Sequence, residues 1–127
     1  MTFSVLVVDD EPALRNLIGQ MLEIGGYAVT EAQNGEDALN KIEESPPDAL
    51  ILDVMMPRMD GITLCKIIRE DPELMELPVI MLSGKTQKKA IAEGLAAGAN
   101  QYLCKPVSFD ELIGSIKAVL PNLSAIN

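Results

Sequence analysis

The residues best suited to chemistry in this sequence stand at the ends of short apolar runs. Asp9 and Asp10 follow "FSVLVV", Asp53 ends "DALILD", Ser83 ends "PVIMLS" and Lys105 ends "NQYLCK". A carboxylate at the end of a buried strand loses hydration, and that loss needs compensation. Taken singly, each residue has a plain structural explanation. Asp10 can cap a helix beginning "EPAL", with Pro12 in its first turn. Ser83 with Gly84 reads as a strand-to-helix turn, Lys105 as a snorkelling side chain, and Asp53 as the start of a turn before Pro57. Asp9 is harder to explain, because one carboxylate suffices for a cap and two adjacent ones repel.

As a set the five residues point to phosphoryl chemistry. Three carboxylates at one edge repel one another unless a cation neutralises them. Oxygen ligands without nitrogen or sulfur favour Mg²⁺, or Mn²⁺ in its place, held by one or two carboxylates and several waters. Such an ion keeps open positions for a phosphoryl oxygen. Lys105 supplies positive charge from the other side, and Ser83 supplies a hydroxyl donor. Positioning and electrostatics provide most of the catalysis in phosphoryl transfer. Asp53, central in the set, is therefore the candidate nucleophile.

The elements that must position these residues alternate along the chain. Runs at 3–8, 27–32, 48–53, 78–83 and 100–105 read as strands. Those beginning at Phe3, Asp48 and Pro78 are continuously apolar, as strands covered on both faces of a parallel sheet must be; those at Tyr27 and Asn100 are mixed. Between them, Leu14, Leu17, Ile18, Met21 and Leu22 form one helical stripe that stops at Gly25-Gly26. Further helices are expected at about 35–44 (Ala38, Leu39, Ile42), 61–70 (Ile62, Cys65, Ile68) and 86–97, the last with Ile91 and Leu95 on one face. A fifth opens with a capping box, Ser108 and Glu111, with Val107 and Leu112 at the staple positions. Its stripe is Leu112, Ile113, Ile116, Val119 and Leu120, stopped by Pro121. Alternation of this kind predicts an α/β fold, a doubly wound five-stranded parallel sheet with five helices on its two faces. Ligands of such sheets gather at the carboxyl ends of the strands, where the five residues fall. One domain is expected, with "NLSAIN" as a frayed tail or a link.

Composition excludes several classes. The chain has 127 residues, 19 acidic and 10 basic, for a net charge of −9. That surface repels nucleic-acid phosphates and anionic lipid, so neither direct nucleic-acid binding nor membrane binding is expected. No histidine is present, which removes the commonest general base, the commonest transition-metal ligand and the side chain that phosphocarrier proteins phosphorylate. Cys65 and Cys104 lack CxxC spacing and read as small buried hydrophobes in a reducing compartment. The N-terminus has no basic segment before its short apolar run, and no stretch reaches transmembrane length. A cytoplasmic protein is expected.

In this order, "LVVDDEP", "LILDVMMPRMDG", "PVIMLSG" and "GANQYLCKP" resemble the receiver domains of two-component response regulators, from residue 4 to about residue 120. The resemblance implies a flavodoxin-like strand order, 2-1-3-4-5, in a receiver domain over residues 1–122 with a tail at 123–127. It implies a phosphoacceptor switch that assists only its own phosphorylation and dephosphorylation, and no enzyme. Asp53 would accept phosphate from a phosphohistidine on a sensor histidine kinase or histidine phosphotransfer protein, and a downstream target or output domain would read the result. Asp10 and Asp53 would hold Mg²⁺ with the backbone carbonyl of Met55, and Asp9 would act largely through a bound water. Ser83 and Lys105 would contact the phosphoryl group. Ser83 would move toward it, Tyr102 would turn inward, and the surface of helix four, strand five and helix five would change. The Lys105-Pro106 bond is expected to be cis, and Gly61 to relieve backbone crowding after the active loop.

The sequence departs from the family pattern at two places. Ser83 stands where many members carry threonine, and Gly84 where alanine is frequent. Met55 and Lys85 occupy variable positions, and Met55 is expected to shield an acyl phosphate from water. Lys85, Lys88 and Lys89 form a small basic cluster, read first as a solvated helix face. Three other readings fare worse. A haloacid-dehalogenase-like phosphatase needs an acid at Met55, a flavin carrier needs a phosphate loop where "DDEPA" would repel it, and a degenerate receiver would lack side chains that are all present.

Overall fold

In the computed structural model, which describes residues 2–120, the five apolar runs form parallel strands: β1 (Ser4–Val8), β2 (Ala28–Ala32), β3 (Ala49–Asp53), β4 (Val79–Ser83) and β5 (Gln101–Cys104). Their spatial order is β2-β1-β3-β4-β5, as expected. The helices are α1 (Pro12–Ile24), α2 (Gly35–Glu44), α3 (Gly61–Glu70), α4 (Lys88–Ala96) and α5 (Phe109–Val119). Helices α1, α3 and α4 connect neighbouring parallel strands, which a tight hairpin cannot do; α2 carries the chain from β2 past β1 to β3, and α5 follows β5.

Alternation along each strand divides the core in two. Leu6, Val8, Leu50, Leu52, Val79 and Met81 face α2, α3 and α4, meeting Ala38, Ile42, Leu64, Cys65 and Ile68. Val5, Val7, Ile51, Ile80 and Leu82 face α1 and α5, meeting Ile18, Leu22, Leu112 and Ile116. The central strands β3 and β4 are buried along their whole length. Each fully buried Leu or Ile contributes about 1.5–3 kcal/mol of transfer free energy, so the central strands are the best anchored part of the fold. The mixed runs became the edge strands β2 and β5, each with one strand neighbour and much more exposure.

Helix starts follow local polar chemistry. The Asn34 side chain accepts the Asp37 N–H at 2.7 Å, Asp60 accepts that of Thr63 at 2.8 Å, and Ser108 and Glu111 form the expected capping box. Helix α1 instead begins after Glu11 with no side-chain cap. Asp10 therefore does not cap it.

Three packing expectations need correction. Helix α4 begins at Lys88, two residues after the expected start, and Leu95 is 46% exposed. This helix docks through the small buried residues Gly94 and Ala97, with Ile91 half-buried, and Leu95 lies on its flank. Leu17 is 47% exposed because α1 packs through Ile18, Gly19 and Leu22. Cys65 is buried, its thiol donating to the Ala97 carbonyl at 3.5 Å, but Cys104 on the edge strand is only half-buried. The Lys105-Pro106 bond is cis. No helix among the described residues is long and apolar enough to cross a membrane. Pro121 and the tail expected at 123–127 lie outside the described residues.

Candidate functional site

Strand order places β1 and β3 side by side at the centre, so their carboxyl ends meet. Asp9 follows β1 directly, its N–H donating to the Ala32 carbonyl at 3.1 Å and its Oδ1 accepting the Glu11 N–H at 2.9 Å. Asp53 is the last residue of β3. The two are 3% and 6% exposed. One carboxylate oxygen from each of Asp9, Asp10 and Asp53 lies within 4.8 Å of the others, and of the three only Asp10 is exposed.

Lys105 reaches this group from the far side. Its N–H donates to the Ser83 carbonyl at 2.8 Å, extending the β4–β5 pairing by one residue. Its Nζ stands 3.4 Å from Asp53 Oδ1 and 3.6 Å from Asp9 Oδ2. These are ion-pair distances, longer than a good hydrogen bond. One ammonium spans two buried carboxylates, and three carboxylates with one lysine leave the cluster at −2. A divalent cation would neutralise that charge, and the all-oxygen donor set suits a hard ion.

Burial raises the Asp53 carboxyl above the ordinary carboxylate range. Lys105 pulls the other way, Asp9 adds to the rise, and the Met55 N–H opposes it. That N–H donates to Asp53 Oδ1 at 3.2 Å. Oδ1 thus carries both the Lys105 and the Met55 contacts, and Oδ2 has no protein hydrogen bond among the described residues.

The loop after Asp53 is shaped by backbone contacts. Arg58 adopts a left-handed φ of 66°, the Met59 N–H donates to the Pro57 carbonyl at 2.8 Å, and the Gly61 N–H closes back on Val54 at 2.9 Å. A Cβ on Gly61 would lie 2.5 Å from the Asp53 carbonyl oxygen and 2.8 Å from Val54 Cα. The expected crowding is present, and it is backbone against backbone. The Met55 side chain is 57% exposed. A cleft of about 420 Å³ runs beside it, lined in part by Met56, Asp60, Ile62, Lys85 and Ala90.

Ser83 is fully buried at the end of β4, its hydroxyl accepting the Lys85 N–H at 3.1 Å. The Tyr102 ring is half-buried against the Met81 side of the core, and its hydroxyl donates to the Lys85 carbonyl at 2.8 Å. The ring thus already lies inward, under Gly94. Lys85, Lys88 and Lys89 are exposed and make no ion pair among the described residues, as a solvated face would.

The sequence matches the family described as the response regulator receiver domain over residues 5–117. The chain belongs to that family. Receiver domains of this kind are signalling modules of two-component systems. Among curated relatives, the response regulator MprA of a Mycobacterium species (strain KMS) is 40% identical over 124 residues, covering 98% of this chain and 53% of that protein. The chain therefore spans about half the length of the curated relatives it matches. Chemotaxis protein CheY4 of Vibrio cholerae superposes with a TM-score of 0.89 at 33% identity, covering 94% of this chain and all (100%) of that one. The receiver domain of Francisella response regulator 1452 does so with a TM-score of 0.86 at 37% identity, covering 93% and 96%.

Several residues that shape the receiver's site gave no chemical signal in the sequence. Arg15 touches it through the Asp9 carbonyl, Glu31 holds Arg15, and Gly94 makes room for Tyr102. Their partners lie on other elements, Asp9 six and Glu31 sixteen residues from Arg15, and no periodic pattern announces such contacts.

Proposed function

We propose that this receiver domain is a phosphoacceptor switch in which Asp53 takes a phosphoryl group from a phosphohistidine on a sensor kinase or phosphotransfer protein. The observation that carries this reading is the meeting of three carboxylates with one lysine ammonium at the β1 and β3 ends. Asp10, Asp53 and the Met55 carbonyl would hold Mg²⁺, or Mn²⁺, with Asp9 acting through water. Bound there, the ion supplies positive charge that steadies the phosphoryl oxygens during transfer.

The chain's own residues do the rest. Asp53 presents Oδ2 as the nucleophilic oxygen, while Lys105 and the Met55 N–H hold Oδ1. The new P–O bond forms as the P–N bond breaks, and the imidazole, protonated on its other ring nitrogen, departs neutral with the bonding pair. Lys105 turns from two carboxylates toward the added phosphoryl charge. Ser83 supplies the hydroxyl that follows it, and Tyr102, tied to the same loop through Lys85, reports that movement to α4, β5 and α5. Phosphorylation adds about −1.5 to −2 charges at one point, enough to bias two packings a few kcal/mol apart.

Residues 1–122 would constitute the receiver, and a downstream target or a further domain would read its state, without nucleic-acid binding by this domain. The test is incubation with acetyl phosphate and Mg²⁺, followed by mass mapping. A single phosphoryl group on Asp53, absent from Asp53→Asn and from samples in EDTA, is the expected result. Modification elsewhere, or equal modification without a divalent ion, would overturn the proposal. A phosphatase reading requires a proton donor beside Asp53, and Met55 provides none.

A further inference from the structure

Asp10 is the one exposed member of the carboxylate cluster, and its side chain accepts no protein hydrogen bond among the described residues. Something other than side-chain contact must aim it. Asp9 is held at both ends of its backbone, and its carbonyl belongs to the peptide that joins it to Asp10. The Asp9 N–H donates to Ala32 on β2, and the Asp9 carbonyl accepts from Arg15 Nη1 at 2.8 Å. Arg15 is itself fixed, its Nε donating to Glu31 Oε1 at 2.8 Å, with the arginine side chain only 17% exposed. Because a peptide unit is planar, fixing the oxygen of residue 9 also fixes the N–H and Cα of residue 10.

We infer that Arg15 is the positioning residue for the metal-binding loop, with Glu31 as its anchor on β2. It sets the Asp9-Asp10 peptide plane and so presents Asp10 toward the cation. This rests on the proposed Mg²⁺ site and extends it to two residues that touch no ligand. The guanidinium suits the task because its fork of donors serves a carboxylate and a carbonyl simultaneously, whereas a lysine ammonium on a flexible stem is far less defined in direction.

Electrostatics and positioning predict opposite signs here. Deleting Arg15 alone leaves the Glu31 anion unpaired near the cluster, which by charge alone attracts Mg²⁺ more strongly. Deleting both charges, in Arg15→Met with Glu31→Gln, leaves net charge unchanged and isolates the loss of positioning. Mg²⁺ affinity, measured by calorimetry and by amide resonances at Asp10 and Glu11, is expected to fall about tenfold in the double variant, the scale typical of residues that orient metal ligands. Arg15→Lys, which keeps the charge and serves one partner at a time, is expected to bind with intermediate affinity. Mg²⁺ binding within twofold of wild type in the double variant would overturn the inference. Should that variant not fold, wild-type affinity in Arg15→Lys would do so instead. Asp10→Asn provides the reference. If it binds Mg²⁺ as tightly as wild type, the metal site itself is wrong and the inference falls with it; if it binds weakly while both Arg15 variants bind normally, only the inference fails.

Discussion

Ser83 and Tyr102 hold the same residue from two sides: the Ser83 hydroxyl accepts the Lys85 N–H at 3.1 Å, and the Tyr102 hydroxyl donates to the Lys85 carbonyl at 2.8 Å. The buried serine at the site and the aromatic ring beneath α4 therefore share one peptide segment. Movement of either strains the other's hydrogen bond, which gives the β4–α4 loop a direct mechanical link to β5.

That link depends on space at Gly94. A Cβ there would lie 2.7 Å from Tyr102 Cδ2 and 2.9 Å from Met81 Sδ. Gly94→Ala is expected to lower stability by about 1–3 kcal/mol through overpacking. In a Tyr102→Ala background the loss is expected to shrink toward zero, because the remaining neighbour, Met81 Sδ, can shift into the space the ring leaves and alanine is the better helix former. Urea denaturation of the four proteins measures both. An equal loss with and without the ring would show that Gly94 does not make room for Tyr102.

Gly61→Ala has no flexible neighbour to push aside. The nearest atoms are the Asp53 carbonyl oxygen and Val54 Cα, so the end of β3 or the loop that follows it must shift. A loss of about 2–3 kcal/mol or more is expected, with phosphorylation of Asp53 slowed as well. Unchanged stability and unchanged phosphorylation would remove Gly61 from the list of residues shaping the site.

In the metal-free protein Asp53 works against stability at neutral pH. Burial, opposed by Lys105, raises its carboxyl above the unfolded value of 3.8. Between those two values the folded chain binds more protons than the unfolded one, so unfolding free energy declines as pH rises through that window. Asp53→Asn in EDTA is expected to melt higher than wild type at pH 7, with the difference shrinking as pH falls toward 4. A lower melting temperature for Asp53→Asn at pH 7 would contradict the stated balance of burial and pairing.

Magnesium is expected to reverse that order. A ligand bound only by the folded state adds about 2.7 kcal/mol at a hundredfold excess over its Kd. Wild type should therefore melt progressively higher as Mg²⁺ is added, while Asp53→Asn and Asp10→Asn respond weakly. Identical responses in all three would place the ion elsewhere.

Met55 exposes its side chain two residues after Asp53 and has no group that can orient water. Met55→Asn introduces an amide that can, and the aspartyl phosphate is expected to hydrolyse about tenfold faster, a barrier change of roughly 1.4 kcal/mol. An unchanged decay rate, followed by loss of radiolabel after removal of the phosphodonor, would end the shielding idea.

Much of this protein could be read before any coordinates. Continuous apolar runs in β3 and β4 announced buried parallel strands, the mixed runs became the edges, and Ser108 with Glu111 marked the start of α5. These are local signals, carried by neighbours in the chain, so one sequence suffices to show them. The acidic residues at strand ends were equally legible, because a parallel sheet brings all its carboxyl ends to one edge. The chain alone left three things open. It did not show that Lys105 spans two carboxylates, that Leu17 and Leu95 lie outside the core, or that Arg15, Glu31 and Gly94 serve the site from a distance. Each of these depends on contacts between different elements, some nearly a hundred residues apart (Lys105 with Asp9) and some only six (Arg15 with Asp9), and only the packing of helices onto the sheet sets those distances.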